Sequence, residues 1–163
     1  MSVLNRLKEY LDSKKVGYEV LTHGKTYTAK ELAQALHVAG KDLAKVVMLK
    51  VGERFVMAVL PATWKVDLHR LRDIFQTHEI RLATEEEIRG LFPDCELGAM
   101  PPFGNLYGLE VYVDQSLAED EEIVFPAGTY LEAVKLRYRD FADLVKPKVA
   151  EFHMPSSWPK TGS

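Results

Sequence analysis

The first strong pattern along the chain is helical. Val3, Leu4, Leu7, Tyr10 and Leu11 recur at three- and four-residue spacing, which predicts a helix from Val3 to Lys15, with Gly17 just past its end. Gly17 to Leu21 predicts a short strand. Thr28 and Glu31 form a Thr-x-x-Glu capping box, so a second helix is expected from Ala29 to about Leu36. Leu43 to Val51 and Arg54 to Leu60 are dense in Val, Met and Leu, and only Gly52-Glu53 divides them. That is the clearest hairpin signal in the chain. Asp67 stands where it can cap a helix carrying Leu68, Leu71, Ile74 and Phe75. Glu79 to Leu82 predicts a short strand. Thr84 and Glu87 form another capping box, opening a helix that ends near Gly90. Leu109 to Val113, Glu122 to Phe125 and Tyr130 to Leu136 predict three more strands. Asp140 is placed to cap a last helix that stops before Pro147.

Between Pro93 and Gly108 the periodicity disappears. This long irregular stretch holds Gly98, Pro101, Pro102, Gly104 and Gly108, and loops of that length in small domains often carry function. Strands and helices alternate irregularly and hairpins recur. The expected fold class is therefore α/β of the α+β type, with a mixed, barrel-like β-sheet and helices outside it. A single domain is expected over residues 1–150, followed by a flexible C-terminal tail over 151–163.

Composition narrows the compartment more than the function. Of the 163 residues, 47% are hydrophobic and 28% charged, as in ordinary globular proteins. The longest mainly apolar stretch, Phe55 to Ala62, is far shorter than the roughly 20 residues of a bilayer span. The start, MSVLNRLKEYL, lacks the apolar centre of a signal peptide. Cys95 is the sole cysteine and can form no internal disulfide, which points to the reducing cytoplasm. Lys and Arg total 21 against 24 Asp and Glu, a net charge of −3. Contact with nucleic acid must then use a local patch.

Familiar catalytic signatures are missing from the sequence: it has no GxGxxG, P-loop, Gly-x-Ser-x-Gly, Cys-x-x-Cys or His-Glu-x-x-His. His23, His37, His69, His78 and His153 form no i,i+3 or i,i+4 pair, so neither a metal nor a cofactor is expected. Cys95 reads as an ordinary free thiol. Three features stand out. Lys45 falls between apolar neighbours on one face of a predicted strand, where a charge is costly unless it reaches water, a partner or a ligand. Pattern alone favours a snorkelling side chain there. The loop Gly98-Ala-Met-Pro-Pro-Phe-Gly104 pairs two φ-fixing prolines with two permissive glycines. It fits a rigid ligand-presenting loop and a stiff connector equally well. The turn from His23 to Thr28 sets imidazole, ammonium, hydroxyl and phenol groups before a helix start, which suits an anion or simply a cap.

These features occur together, in the same order, in one family. Through Thr22 to Ala33 (THGKTYTAKELA), Gly40 to Lys50 (GKDLAKVVMLK), Gly98 to Gly104 (GAMPPFG) and Phe125 to Leu136 (FPAGTYLEAVKL), the chain resembles the YbaK/ProX-type aminoacyl-tRNA deacylases. These include the editing domain inserted in bacterial prolyl-tRNA synthetases. The resemblance runs from about Leu4 to Val145. It implies a trans-editing enzyme that hydrolyses the ester of mischarged tRNA, chiefly tRNA-Pro carrying alanine, cysteine or another small amino acid. Its implied partners are the 3′ acceptor end and, beyond it, prolyl-tRNA synthetase. The implied catalytic residues are Lys45 and Gly98, the latter opening the Gly-x-x-x-Pro motif that Pro102 closes. His23, Thr26, Tyr27, Met100, Pro101, Pro102, Phe103, Gly104 and Gly128 are the implied substrate-binding residues, and Lys41, Lys50 and Arg70 are candidate RNA contacts. The chain departs from alanine-editing members at Pro126 to Gly128, where those commonly carry a histidine. The alternatives to an enzyme are a non-catalytic module of the same fold that holds tRNA or a synthetase, and a small-molecule sensor.

Overall fold

Two eight-residue strands, β2 (Ala44–Val51) and β3 (Arg54–Pro61), form the hairpin that the apolar runs predict, in register from Ala44–Pro61 to Val51–Arg54. The computed structural model describes residues 2–22 and 29–155. Around the hairpin, the order is α1 (Val3–Ser13), β1 (Glu19–Thr22), α2 (Ala29–Leu36), then β4 (Trp64–Val66), α3 (Leu68–Phe75), β5 (Ile80–Leu82) and α4 (Glu85–Leu91). A short 3-10 turn at Gly104–Tyr107 leads to β6 (Glu110–Asp114), α5 (Gln115–Ala118), β7 (Glu122–Pro126), β8 (Glu132–Arg137), α6 (Tyr138–Val145), β9 (Lys148–Ala150) and β10 (His153–Pro155).

The largest sheet has the order β5-β2-β3-β6-β9, with β6 parallel to β3 and β9 parallel to β6. Strands β1, β8 and β7 form an antiparallel three-stranded sheet. A parallel bridge between Leu43 and Val124 joins the two sheets, where the Val124 N–H donates to the Asp42 carbonyl at 3.0 Å. The result is a mixed, barrel-like sheet with helices around it, as expected. A two-stranded β10-β4 ribbon flanks it.

Apart from Lys45, Lys50 and Arg54 the hairpin strands are apolar, because both of their faces are covered. Ala44, Val46 and Met48 of β2, with Met57 and Val59 of β3, enter the principal core. There they meet Leu4, Leu7 and Leu11 of α1, Phe125 of β7 and Phe141 of α6. The opposite face supplies Leu49, Val51, Val56, Ala58 and Leu60 to a second core, closed by Leu71 of α3, Ile80 of β5 and Phe152. A third cluster joins Leu32 and Ala33 of α2 to Leu43, Ala62, Val124 and Ala133.

Local signals set several helix starts. The Asp67 carboxylate accepts from the N–H groups of His69 and Arg70 and caps α3. The Thr84–Glu87 capping box forms in both directions, at 3.1 and 2.8 Å. Asp140 differs from its expected role. It lies in the first turn of α6, whose N-cap is Arg137, and the helix start is tied by the Tyr138 N–H to the Glu121 carbonyl at 3.0 Å. Residues 151–155, which the sequence assigns to the tail, include a fully buried Phe152 and the strand β10. Among the described residues no helix is long and apolar enough to cross a membrane.

Near the junction of the sheets, burial and the neighbouring Asp42 push the Asp120 carboxyl up to about 6 from its ordinary 3.8. One carboxylate oxygen there is buried with no hydrogen-bond partner among the described residues. The folded state holds this proton more tightly than the unfolded chain, so stability falls as pH rises from about 3.8 to about 6. Asp120→Asn is therefore expected to raise Tm by a few degrees at pH 7.5 and to leave it near wild type at pH 4. Differential scanning calorimetry at the two pH values reads this directly.

Candidate functional site

Lys45 is the second residue of β2, paired across the hairpin with Leu60. Strand alternation puts it on the face of Val47, Leu49 and Val51, and its side chain is half-buried. Among the described residues it has no acidic partner. Burial, and then the positive charge of Lys65 on β4, lower its proton affinity below the lysine norm. A desolvated ammonium beside a second cation is a receptor for negative charge, whether a phosphate or an oxygen on which charge develops.

The Gly98–Gly104 loop is more enclosed than the sequence suggests. Ala99, Met100, Pro101, Pro102, Phe103 and Gly104 are all buried, while Gly98 retains partial exposure. The side chains of Met100 and Phe103 belong to the principal core, and the Phe103 ring packs 5.5 Å from Phe125 and 5.4 Å from Phe141. Gly104 is small for packing reasons, since a Cβ would strike Val111. What this loop can offer a ligand is thus concentrated at the backbone of Gly98. That residue needs glycine twice over: its φ is +87°, and a Cβ would collide with the Tyr130 hydroxyl.

The loop is fastened to the turn between β7 and β8. The Glu96 N–H donates to the Gly128 carbonyl at 2.7 Å, and the Gly128 N–H donates to the Ala99 carbonyl at 2.8 Å. The Tyr130 hydroxyl donates to the Leu97 carbonyl at 3.3 Å. Gly128, at φ +95°, is buried against Val3 of α1, and its N–H and carbonyl are both occupied by these loop contacts. Tyr130 is the residue that sequence reasoning missed. The sequence pattern places it at the start of a strand, and its contact with Gly98 spans more than thirty residues of chain.

The remaining expected residues scatter. Lys41 pairs with Asp42 at 3.2 Å, Lys50 reaches Glu87 at 4.0 Å, and Arg70 pairs with Glu151 at 2.8 Å. Lys50 also projects from the opposite face of β2, roughly 16 Å along the strand from Lys45. His23, Thr26 and Tyr27, with the Thr28 half of the expected capping box, lie outside the described residues. Burial pushes the Cys95 thiol up to about 11, and its sulfur contacts the Tyr107 hydroxyl at 3.8 Å. A thiol so protonated at neutral pH is no nucleophile.

Comparison with known proteins identifies the family and the fold. The model of the aminoacyl-tRNA editing domain matches residues 23–144, and the chain belongs to that family. It is 28% identical over 152 residues to the multifunctional Ser/Thr-tRNA deacylase ProXp-y of Escherichia coli K12, covering 90% of each chain. It is 27% identical over 89 residues to the proline–tRNA ligase of Bacillus cytotoxicus, which is 55% of this chain and 16% of the ligase. A crystal structure of a candidate trans-editing enzyme for prolyl tRNA synthetase shares the fold, with a TM-score of 0.82 at 23% identity over 94% of this chain and 98% of that one.

Proposed function

We propose that this member of the aminoacyl-tRNA editing domain family is a trans-editing deacylase acting in the cytoplasm on mischarged tRNA. The observation that carries the reading is Lys45: a half-buried ammonium with no acidic partner among the described residues, in a domain whose Gly98 backbone is held in a fixed loop. Hydrolysis of an aminoacyl ester needs a water, a place for the carbonyl oxygen and a positioned leaving group. Water adds to the carbonyl carbon, the bond to the ribose oxygen breaks, and that oxygen takes up the proton. The products are a free amino acid and an uncharged 3′ end. In this reading Lys45 binds the terminal phosphate or the developing oxyanion, the Gly98 backbone orients the ester, and the substrate's own 2′-hydroxyl helps deliver the proton. Proximity and fixed dipoles supply the acceleration, and no side-chain nucleophile is required.

The favoured substrates are tRNA-Pro esterified with alanine, cysteine or another small amino acid. Serine and threonine also enter the test because the full-length relative in Escherichia coli is named for them. Such side chains differ by a methyl, hydroxyl or thiol group, and an apolar pocket separates neighbours of this kind by only about 1–3 kcal/mol. The experiment is a deacylation time course on tRNAs charged with alanine, cysteine, serine, threonine and proline. Hydrolysis of one or more members above the spontaneous rate is expected, and the rates rank the substrates. Folded protein that binds these tRNAs and hydrolyses none would overturn the enzyme in favour of a binding module. Prolyl-tRNA synthetase is the proposed protein partner, tested by whether its addition raises the editing rate.

A further inference from the structure

Leu97 O and Gly98 N–H belong to one peptide unit, which is planar and trans. Whatever holds the carbonyl therefore aims the N–H in the opposite direction. The carbonyl is held by the Tyr130 hydroxyl at 3.3 Å, and that same hydroxyl lies where a side chain on residue 98 would be. Among the described residues the Gly98 N–H itself has no acceptor. The Tyr130 N–H donates to the Glu96 carboxylate at 3.4 Å, so the tyrosine grips the loop on both sides of Leu97. Its ring packs on the third cluster, which contains Leu43, two residues before Lys45, and Leu32 and Ala33 of α2.

We propose that Tyr130 is a positioning residue of the site: its hydroxyl fixes the Leu97–Gly98 peptide plane, and its ring anchors that plane to the base of the strand that carries Lys45. The inference rests on the deacylase reading and adds to it the residue that sets the Gly98 donor. A glycine at positive φ is intrinsically soft, and a donor serves a transition state only if it is held in place beforehand. The phenol supplies that constraint from the far side of the sequence.

Tyr130→Phe keeps the ring and removes the tether. At saturating substrate kcat is expected to fall roughly tenfold, with KM changed less than twofold and Tm close to wild type. Gly98→Ala is expected to lose more. Adding Tyr130→Phe to Gly98→Ala should cost nothing further, because the hydroxyl is the atom that the new methyl meets. Amide hydrogen exchange at 97–99 should be faster in Tyr130→Phe than in wild type, with or without turnover. Wild-type kcat in Tyr130→Phe, or losses that simply multiply in the double variant, would overturn the proposal while leaving the deacylase reading intact. If wild type hydrolyses no substrate, that reading fails, and the exchange rates alone decide whether Tyr130 holds the loop. Unchanged exchange overturns the tether.

Discussion

Lys45→Met is expected to reduce deacylation about 10²–10³-fold while raising, not lowering, the melting temperature. The two effects have one cause. The lysine stem lies on the face of Val47 and Leu49, opposite Leu60, and its ammonium is half-buried near Lys65 without an acid to offset it. Burial first, and Lys65 second, lower its affinity for a proton in the folded state. The unfolded chain therefore binds that proton more tightly. Stability attributable to Lys45 rises as pH climbs through the window between the lowered value and the ordinary 10.5, and below that window the penalty stands in full. Methionine matches the stem and carries no charge, so at neutral pH the penalty disappears. The rate behaves oppositely. If the charged form binds the substrate's phosphate or oxyanion, activity above the hydroxide-driven background declines as pH rises, beginning below the range of a free lysine. Single-turnover hydrolysis and calorimetry on the same preparation decide the matter. A variant that loses activity and stability together would make Lys45 a structural residue and remove the main support for the proposed chemistry.

What the sequence disclosed follows from the range of the forces involved. The hairpin was legible almost to the residue, because Gly52-Glu53 interrupts two long apolar runs and the pairing partners are neighbours in the chain. The caps at Asp67 and Thr84 were legible because each is satisfied within three residues. Strands β4, β9 and β10 were not. Each has three residues, and their pairing partners lie far away in sequence, as with Met154 opposite Lys65. The site divides the same way. Pattern marks Lys45 and the Gly- and Pro-rich loop as unusual but favours a snorkelling side chain for the one and leaves the other open, and only the family resemblance gives them roles. Pattern could not show that Met100 and Phe103 of that loop point into the core, nor that Tyr130 crosses from another turn to cover Gly98. Their orientation depends on tertiary packing.

Asp114→Ala is expected to have the largest effect on stability, about 3–5 kcal/mol. Its side chain is fully buried, at 0% exposure, the sole buried charged residue among those described. Its Oδ2 accepts from the Ser116 N–H at 3.1 Å, capping α5, and meets His153 Nδ1 at 2.9 Å, while its Oδ1 accepts from the Phe152 N–H at 2.8 Å. The His153 ring in turn stacks on Trp64 of β4, with centroids 3.9 Å apart and planes 13° from parallel. One carboxylate thus fixes the end of β6, the start of α5 and the last strand. Alanine would leave a buried backbone N–H without a partner and a cavity beside Phe152, which itself closes the second core. A fall in Tm of roughly 6–20 °C follows for a domain of this size. Asp114→Asn, which can still accept from Phe152, should lose markedly less. The consequence reaches the site because β10 pairs with β4, and β4 carries the Lys65 charge that acts on Lys45. At temperatures where Asp114→Asn is fully folded, its deacylation rate should stay within a few-fold of wild type, since no atom of Asp114 is proposed to touch substrate. A loss as deep as that of Lys45→Met, in folded protein, would instead make the β4–β10 ribbon part of the catalytic apparatus.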